Sequence, residues 1–191
     1  MSRLIATSSQ TIGPFFAVGL WRPEWSDLTR NGLDAGAPIR IEGSVIDGDG
    51  AGVPDALVEI WQADAHGRYE DHDAPVPPDR LFRGFGRCGT DADGRYAFRS
   101  ILPGVVSDAN GTPQAPHVNV TLFARGMLTR VVTRLYFADH AEQNAADPVL
   151  RSLPADARAT LIAPRVDAGS QAVYRFDIVI QGDGETAFFD L

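Results

Sequence analysis

The sequence predicts an all-β protein: a two-sheet β-sandwich over residues 38–191, preceded by an N-terminal arm (residues 1–37) and carrying a few short helices. Three observations point there. Short runs alternate apolar and polar residues along most of the chain, 19 glycines and 13 prolines punctuate them, and helical periodicity is scarce. At 191 residues the chain is long enough to bury one substantial core.

The elements follow in order. Residues 1–37 hold Phe15, Phe16, Trp21 and Trp25 without strand alternation, which predicts a segment lying against an apolar surface. Within it, Glu24 to Thr29 reads as a turn of helix. Ile39, Ile41 and Val45 alternate with polar partners up to Asp47-Gly48-Asp49-Gly50, a tight-turn signal. Ala56 to Trp61 is β-branched and aromatic, the composition of a strand. Asp91-Ala92-Asp93-Gly94 is a second turn, and Tyr96 and Phe98 follow at strand spacing. Val118 to Phe123, Arg130 to Phe137 and Val173 to Ile180 read as further strands, with Glu185 to Phe189 as a last short one. The other helix signals are Asp139–Asn144 and Pro154–Leu161.

Composition excludes whole classes of function. The formal net charge of −8 repels phosphate backbones and anionic lipid, so neither nucleic acid nor a membrane surface is an expected partner. No apolar run approaches the ~20 residues of a spanning helix. Met1 to Ile5 lacks the ~7–15-residue apolar segment of a secretory signal, so a cytoplasmic location is expected. All 17 basic residues are arginine, which removes Schiff-base chemistry and any P-loop lysine. The single cysteine excludes an intrachain disulfide and multi-cysteine metal sites. Cys88, between Arg87 and Gly89 in a strand-like stretch, reads as a small core residue. A metal could draw only on the four histidines, the four tyrosines and the carboxylates.

Candidate residues are weighed against plainer roles. The two Asp-x-Asp-Gly segments lack the glutamate that a calcium loop needs at its twelfth position, where Val58 and Leu102 stand instead; they are hairpin turns. His66 reads as a solvated loop residue and His140 as an exposed residue at a helix start. His72, in Glu70-Asp71-His72-Asp73, reads as part of a hydrated loop. His117 opens a β-branched strand in which His117, Asn119, Thr121, Phe123 and Arg125 share one face. At strand rise, His117 and Arg125 stand ~26 Å apart, too far for one small-molecule site unless the strand bends. Arg125 precedes Gly126, where a turn would leave its guanidinium projecting, suited to bidentate pairing with a carboxylate. Thr11-Ile12-Gly13-Pro14-Phe15 reads as a rigid turn offering backbone groups, a hydroxyl and an aromatic wall.

Several runs together resemble the intradiol ring-cleavage dioxygenases. They are Leu57 to Asp64 with Gly67-Arg68-Tyr69, Phe85-Gly86-Arg87, Thr90-Asp91 through Gly94, Tyr96 and Phe98, Pro103-Gly104, Pro116-His117, Arg134 to Phe137, Arg175 to Ile178, and Gly184 to Asp190. They cover nearly the whole chain in order. The resemblance implies the sandwich fold of that family, a non-haem Fe(III) held by two tyrosines and two histidines, and oxidative opening of a catechol ring by O2. At the ligand positions this chain departs from the family. No tyrosine lies between Asp71 and Leu81, Val105-Val106 stands where one is expected after Pro103-Gly104, and His-x-His becomes His117-Val118-Asn119. His117 is then a relic of a lost iron site, and this chain has no metal and no catalytic residue of its own.

The arm motif Gln10-Thr11-x-Gly13-Pro14, Phe123-Ala124-Arg125-Gly126 and Asp147-Pro148-Val149-Leu150 resemble the iron-free chain of the family's two-chain members. That likeness implies a β-type partner chain that carries the Fe(III), higher oligomers of the pair, and the substrates protocatechuate and O2. Thr11, Gly13, Pro14 and Phe15 would shape the partner's pocket and Arg125 would steer the substrate carboxylate. Two rivals stay open: a self-sufficient homomeric dioxygenase with unorthodox ligands, and a sandwich that binds ligand without catalysis. Iron in the isolated chain would favour the first, and ligand binding without any partner the second.

Overall fold

The computed structural model describes residues 7–11, 13–33, 35–70, 81–166 and 171–190. Chain order is α1 (Phe15–Leu20), a 3-10 turn (Pro23–Ser26), β1 (Pro38–Ile46), β2 (Leu57–Gln62), β3 (Phe85–Gly89), β4 (Arg95–Ile101), β5 (Val106–Ser107), β6 (Pro113–Gln114), β7 (His117–Phe123) and β8 (Val131–Phe137). After a 3-10 turn at Ala138–His140 come α2 (Ala141–Ala146), α3 (Pro148–Ser152), α4 (Ala155–Ala159), β9 (Ile162–Ala163), β10 (Ala172–Arg175) and β11 (Ile178–Val179). One sheet places β1 between β4, antiparallel, and the parallel strands β10 and β11. The other runs β3-β2-β7-β8-β9, antiparallel except for its last pair.

Alternation along each strand decides what meets between the sheets. Ile39, Ile41, Val45 and Phe98 from the first sheet share one core with Val58, Ile60, Val118, Val120, Leu122 and Leu135 from the second. Burying such side chains stabilises by about 1.5–3 kcal/mol each. The expected two-sheet sandwich is therefore what the sequence builds. Gln62, fully buried, bridges the sheets by donating to the Ile101 carbonyl (3.0 Å) and accepting from the Ser100 hydroxyl (2.6 Å). The opposite face of the larger sheet carries Glu59, Trp61, His117, Asn119, Thr121, Val132 and Arg134, and this outer face holds the candidate pocket.

Both Asp-x-Asp-Gly segments are turns, as expected. Asp47 Oδ1 accepts the backbone N–H groups of Asp49 (3.0 Å) and Ala51 (2.9 Å), and Asp91 Oδ1 those of Asp93 and Arg95 (both 2.9 Å). Two expectations need correction. Val173–Ile180 is not one strand: it breaks between β10 and β11, where the Phe176 N–H reaches the Glu42 carbonyl (2.8 Å) and the Asp177 carboxylate takes the Ser44 N–H (2.9 Å). Glu185–Phe189 forms no strand, because its pairing is a single bridge between Phe189 and Val132.

Candidate functional site

The arm residues are placed by local chemistry. Thr11 Oγ1 accepts the Gly13 N–H (3.1 Å), closing a turn in which Gly13 has φ +63°, a conformation that costs glycine nothing. Pro14 then caps α1. Phe16 packs its ring on Phe123 at the end of β7, 5.1 Å between centroids, while Phe15 on the other side of the helix is 68% exposed. Thr11, Phe16, Phe123 and Ala124 line a hollow of about 560 Å3 that also takes in Arg130. Arg125, just past the strand, points outward and pairs with Asp55 at 3.3 Å. Both partners of that pair are about half exposed, so it orients the guanidinium without fixing it.

At the opposite end of β7 a hydrogen-bonded chain surrounds a cavity of about 460 Å3. His117, 2% exposed, donates from Nδ1 to the Ala115 carbonyl (2.8 Å), which leaves the Nε2 lone pair facing the Tyr69 hydroxyl at 3.2 Å. Asn119 Nδ2 donates to that same hydroxyl (2.9 Å). Arg134 completes the chain: Nε donates to Asn119 Oδ1 (3.1 Å), and Nη1 to Gln114 Oε1 (2.9 Å) and the Tyr136 hydroxyl (3.3 Å). Burial first, and then the Arg134 charge, hold the His117 imidazolium down to a pKa of about 4, so the ring is neutral at neutral pH. Burial likewise pushes the Tyr69 phenol up, against the hydrogen bond from Asn119 and the charge of Arg134.

This set does not fit a ferric ion. Ferric iron is hard and wants phenolate oxygen together with imidazole. Burial raises the pKa of both nearby phenols, Tyr69 and Tyr136, so both keep their protons, and Tyr69 points its proton at the imidazole lone pair a metal would use. Asn119 offers an amide, a weak ligand, and a permanently charged guanidinium ties the cluster together, repelling any cation placed within it. Among the described residues no group of three or more His, Cys, Asp and Glu side chains converges as a metal site.

The structure thus sets His117 and Arg125 at opposite ends of β7, and among the described residues Arg125 does not line the cavity that holds His117. Tyr69 is the residue that sequence reasoning passed over. Its spacing from the expected ligand position hid that its hydroxyl meets His117, and Arg134 was read only as part of a motif. Cys88 is a buried core thiol whose pKa is raised by burial, bonded to the Gly89 carbonyl (3.3 Å). His66 is exposed, while His140 is half-buried and bonded to Gln143 (2.5 Å). His72 lies outside the described residues.

Comparison with known proteins establishes the family. A family profile described as "Dioxygenase" matches residues 13–182. The chain is similar to the protocatechuate 3,4-dioxygenase alpha chain of Pseudomonas putida, 45% identical over 96% of each chain. It is also similar to the protocatechuate 3,4-dioxygenase beta chain of Burkholderia cepacia, 39% identical over 84% of this chain and 73% of that one. Among solved structures, catechol 1,2-dioxygenase from Pseudomonas arvilla C-1 superposes with a TM-score of 0.59 at 26% identity, over 84% of this chain and 58% of that one. With a family profile spanning most of the chain and a near full-length relative at this identity, the chain belongs to the intradiol dioxygenase family and stands with its protocatechuate 3,4-dioxygenase alpha chains.

Proposed function

We propose that this chain is the iron-free alpha subunit of an alpha-beta protocatechuate 3,4-dioxygenase, which opens protocatechuate with O2 to 3-carboxy-cis,cis-muconate. The Fe(III) resides in the beta chain and supplies the oxidative chemistry there; the αβ pairs assemble further and work in the cytoplasm. The observation that carries this reading is an arm built for another surface. Its Thr11–Gly13 turn is closed by a hydrogen bond, yet no residue of α1 is fully buried by its own chain, and Phe15 and Val18 are 68% and 73% exposed. Thr11, Gly13, Pro14 and Phe15 wall the partner's pocket. The half-exposed Arg125 offers a planar fork to the carboxylate of protocatechuate.

The test is Arg125→Ala in the co-purified αβ complex. Losing a charge-assisted hydrogen bond is worth about 1.5–3 kcal/mol, so KM for protocatechuate should rise about tenfold or more while iron per complex is unchanged. Identical kinetics would overturn the role of Arg125. Expressing this chain with and without its partner tests the rest: iron and oxygen uptake in the isolated chain would overturn the iron-free reading.

A further inference from the structure

We propose that the cavity over Arg134 is a receptor for a small aromatic carboxylate, the guanidinium having taken the place of a metal as the positive centre of the pocket. The inference concerns this chain's own cavity and does not rest on the role given to the arm.

Charge is the first argument. Arg134 and Arg130 both line the cavity, and the sole carboxylate among its described lining residues, Glu59, is already engaged by Arg87 at 2.5 Å. Arg134 spends Nε and Nη1 on neutral acceptors, Asn119, Gln114 and Tyr136. Among the described residues its Nη2 has no hydrogen-bond partner and its charge meets no carboxylate within ion-pair distance. A fixed guanidinium, clamped on one side and open on the other, is suited to an incoming carboxylate. Because three neutral groups already orient it, little side-chain freedom is lost when an anion arrives.

Shape is the second. Trp61 and Phe85 stand on the cavity's rim, 39% and 41% exposed, and Trp61 lies tilted on Tyr69 at 4.4 Å between centroids. Val106 and Val132 extend the apolar lining. Aromatic walls with one polar end are how small planar ligands are gripped and oriented. At about 460 Å3 the cavity has room for a single-ring acid. The Tyr69 hydroxyl stands beside it to meet a ring substituent.

Fluorine NMR on the full-length chain with 5-fluorotryptophan, alone or in its αβ complex, reads this pocket directly. The resonance that vanishes in Trp61→Phe is that of Trp61. Benzoate should shift it saturably, with benzamide (no charge) and acetate (no ring) each weaker by about tenfold or more. Arg134→Gln should raise the benzoate midpoint by a similar factor, whereas Arg125→Gln should leave it in place. A Trp61 resonance indifferent to benzoate, an equal response to benzamide, or a midpoint unaltered by Arg134→Gln would each overturn the proposal. The comparison of benzoate with benzamide decides the matter on the unmutated protein should the Arg134 variant misfold. Loss of the Arg125 effect on turnover, with the Trp61 response intact, would sink the partner-site reading and spare this one.

Discussion

Asp147 ties the pocket to the helices behind it. Fully buried, it accepts the N–H groups of Val149 and Leu150 (both 2.9 Å) with Oδ1, the Ala115 N–H (2.8 Å) with Oδ2, and the Tyr136 hydroxyl (3.3 Å). Ala115 in turn supplies the carbonyl that fixes the His117 tautomer. Asp147→Ala removes a helix N-cap and leaves a buried N–H unmatched, so stability should fall by about 2–4 kcal/mol, read as a lower urea midpoint at unchanged slope. His117 makes a pH-dependent contribution. Its pKa falls from 6.5 to about 4 on folding, chiefly through burial. Between those values the unfolded chain binds the extra proton, so the stability is complete above pH 6.5 and is lost as pH falls toward 4, by up to about 3 kcal/mol. Urea titrations at several pH values should show this slope in the parent chain and its absence in His117→Gln. At this scale the sequence displays plainly that no tyrosine lies between Asp71 and Leu81 and that Val105-Val106 follows Pro103-Gly104, because a residue type is visible as text. It could not display that Tyr69 turns its hydroxyl onto His117, since residues 48 apart in the chain meet only through the pairing of β2 with β7.

The strands with a strong period, β1, β2, β4, β7 and β8, were legible because one face of each is pressed into the core. Two-residue strands such as β5 and β6 leave no period to read. Helix α3 was missed although its signal stands in the text: Asp147 as N-cap followed by Pro148 at the first helical position. The break between β10 and β11 was hidden for a different reason, because alternation continues across it. Its cause lies on the neighbouring strand. A Cβ on Gly43 would stand 1.8 Å from the Phe176 carbonyl oxygen, so the two backbones touch where only glycine fits. Gly43→Ala should therefore push β1 from the Phe176 segment and cost about 3 kcal/mol. Amide exchange should quicken first at Ser44 and Phe176, whose N–H groups cross that contact. Exchange quickening evenly over the whole chain would mean a global loss of stability and not a local separation of the two segments.

Across the whole molecule the arm divides into a docked part and a presented part. Leu28 is fully buried, lies beneath Gly86, and its N–H bonds to the Arg99 carbonyl (2.9 Å), so the core reaches back to that point. Among the described residues ahead of Trp21 the arm touches the sandwich mainly through Phe16 on Phe123, and α1 contributes no buried residue. Folding therefore gains little from residues 7–11 and 13–20, which keep a turn and a helix that the isolated chain scarcely uses. A chain beginning at Trp21 should unfold within about 1 kcal/mol of the full chain, since among the described residues only surface contacts and one aromatic pair are removed. The same truncation in the αβ complex removes Thr11, Gly13, Pro14 and Phe15 together. Protocatechuate turnover should then fall at least as far as in Arg125→Ala, with iron per complex unchanged. A truncated chain that unfolds far more readily would assign the arm to this chain's own core. Full turnover without it would leave its exposed Phe15 and Val18 to a contact that the partner's pocket does not need.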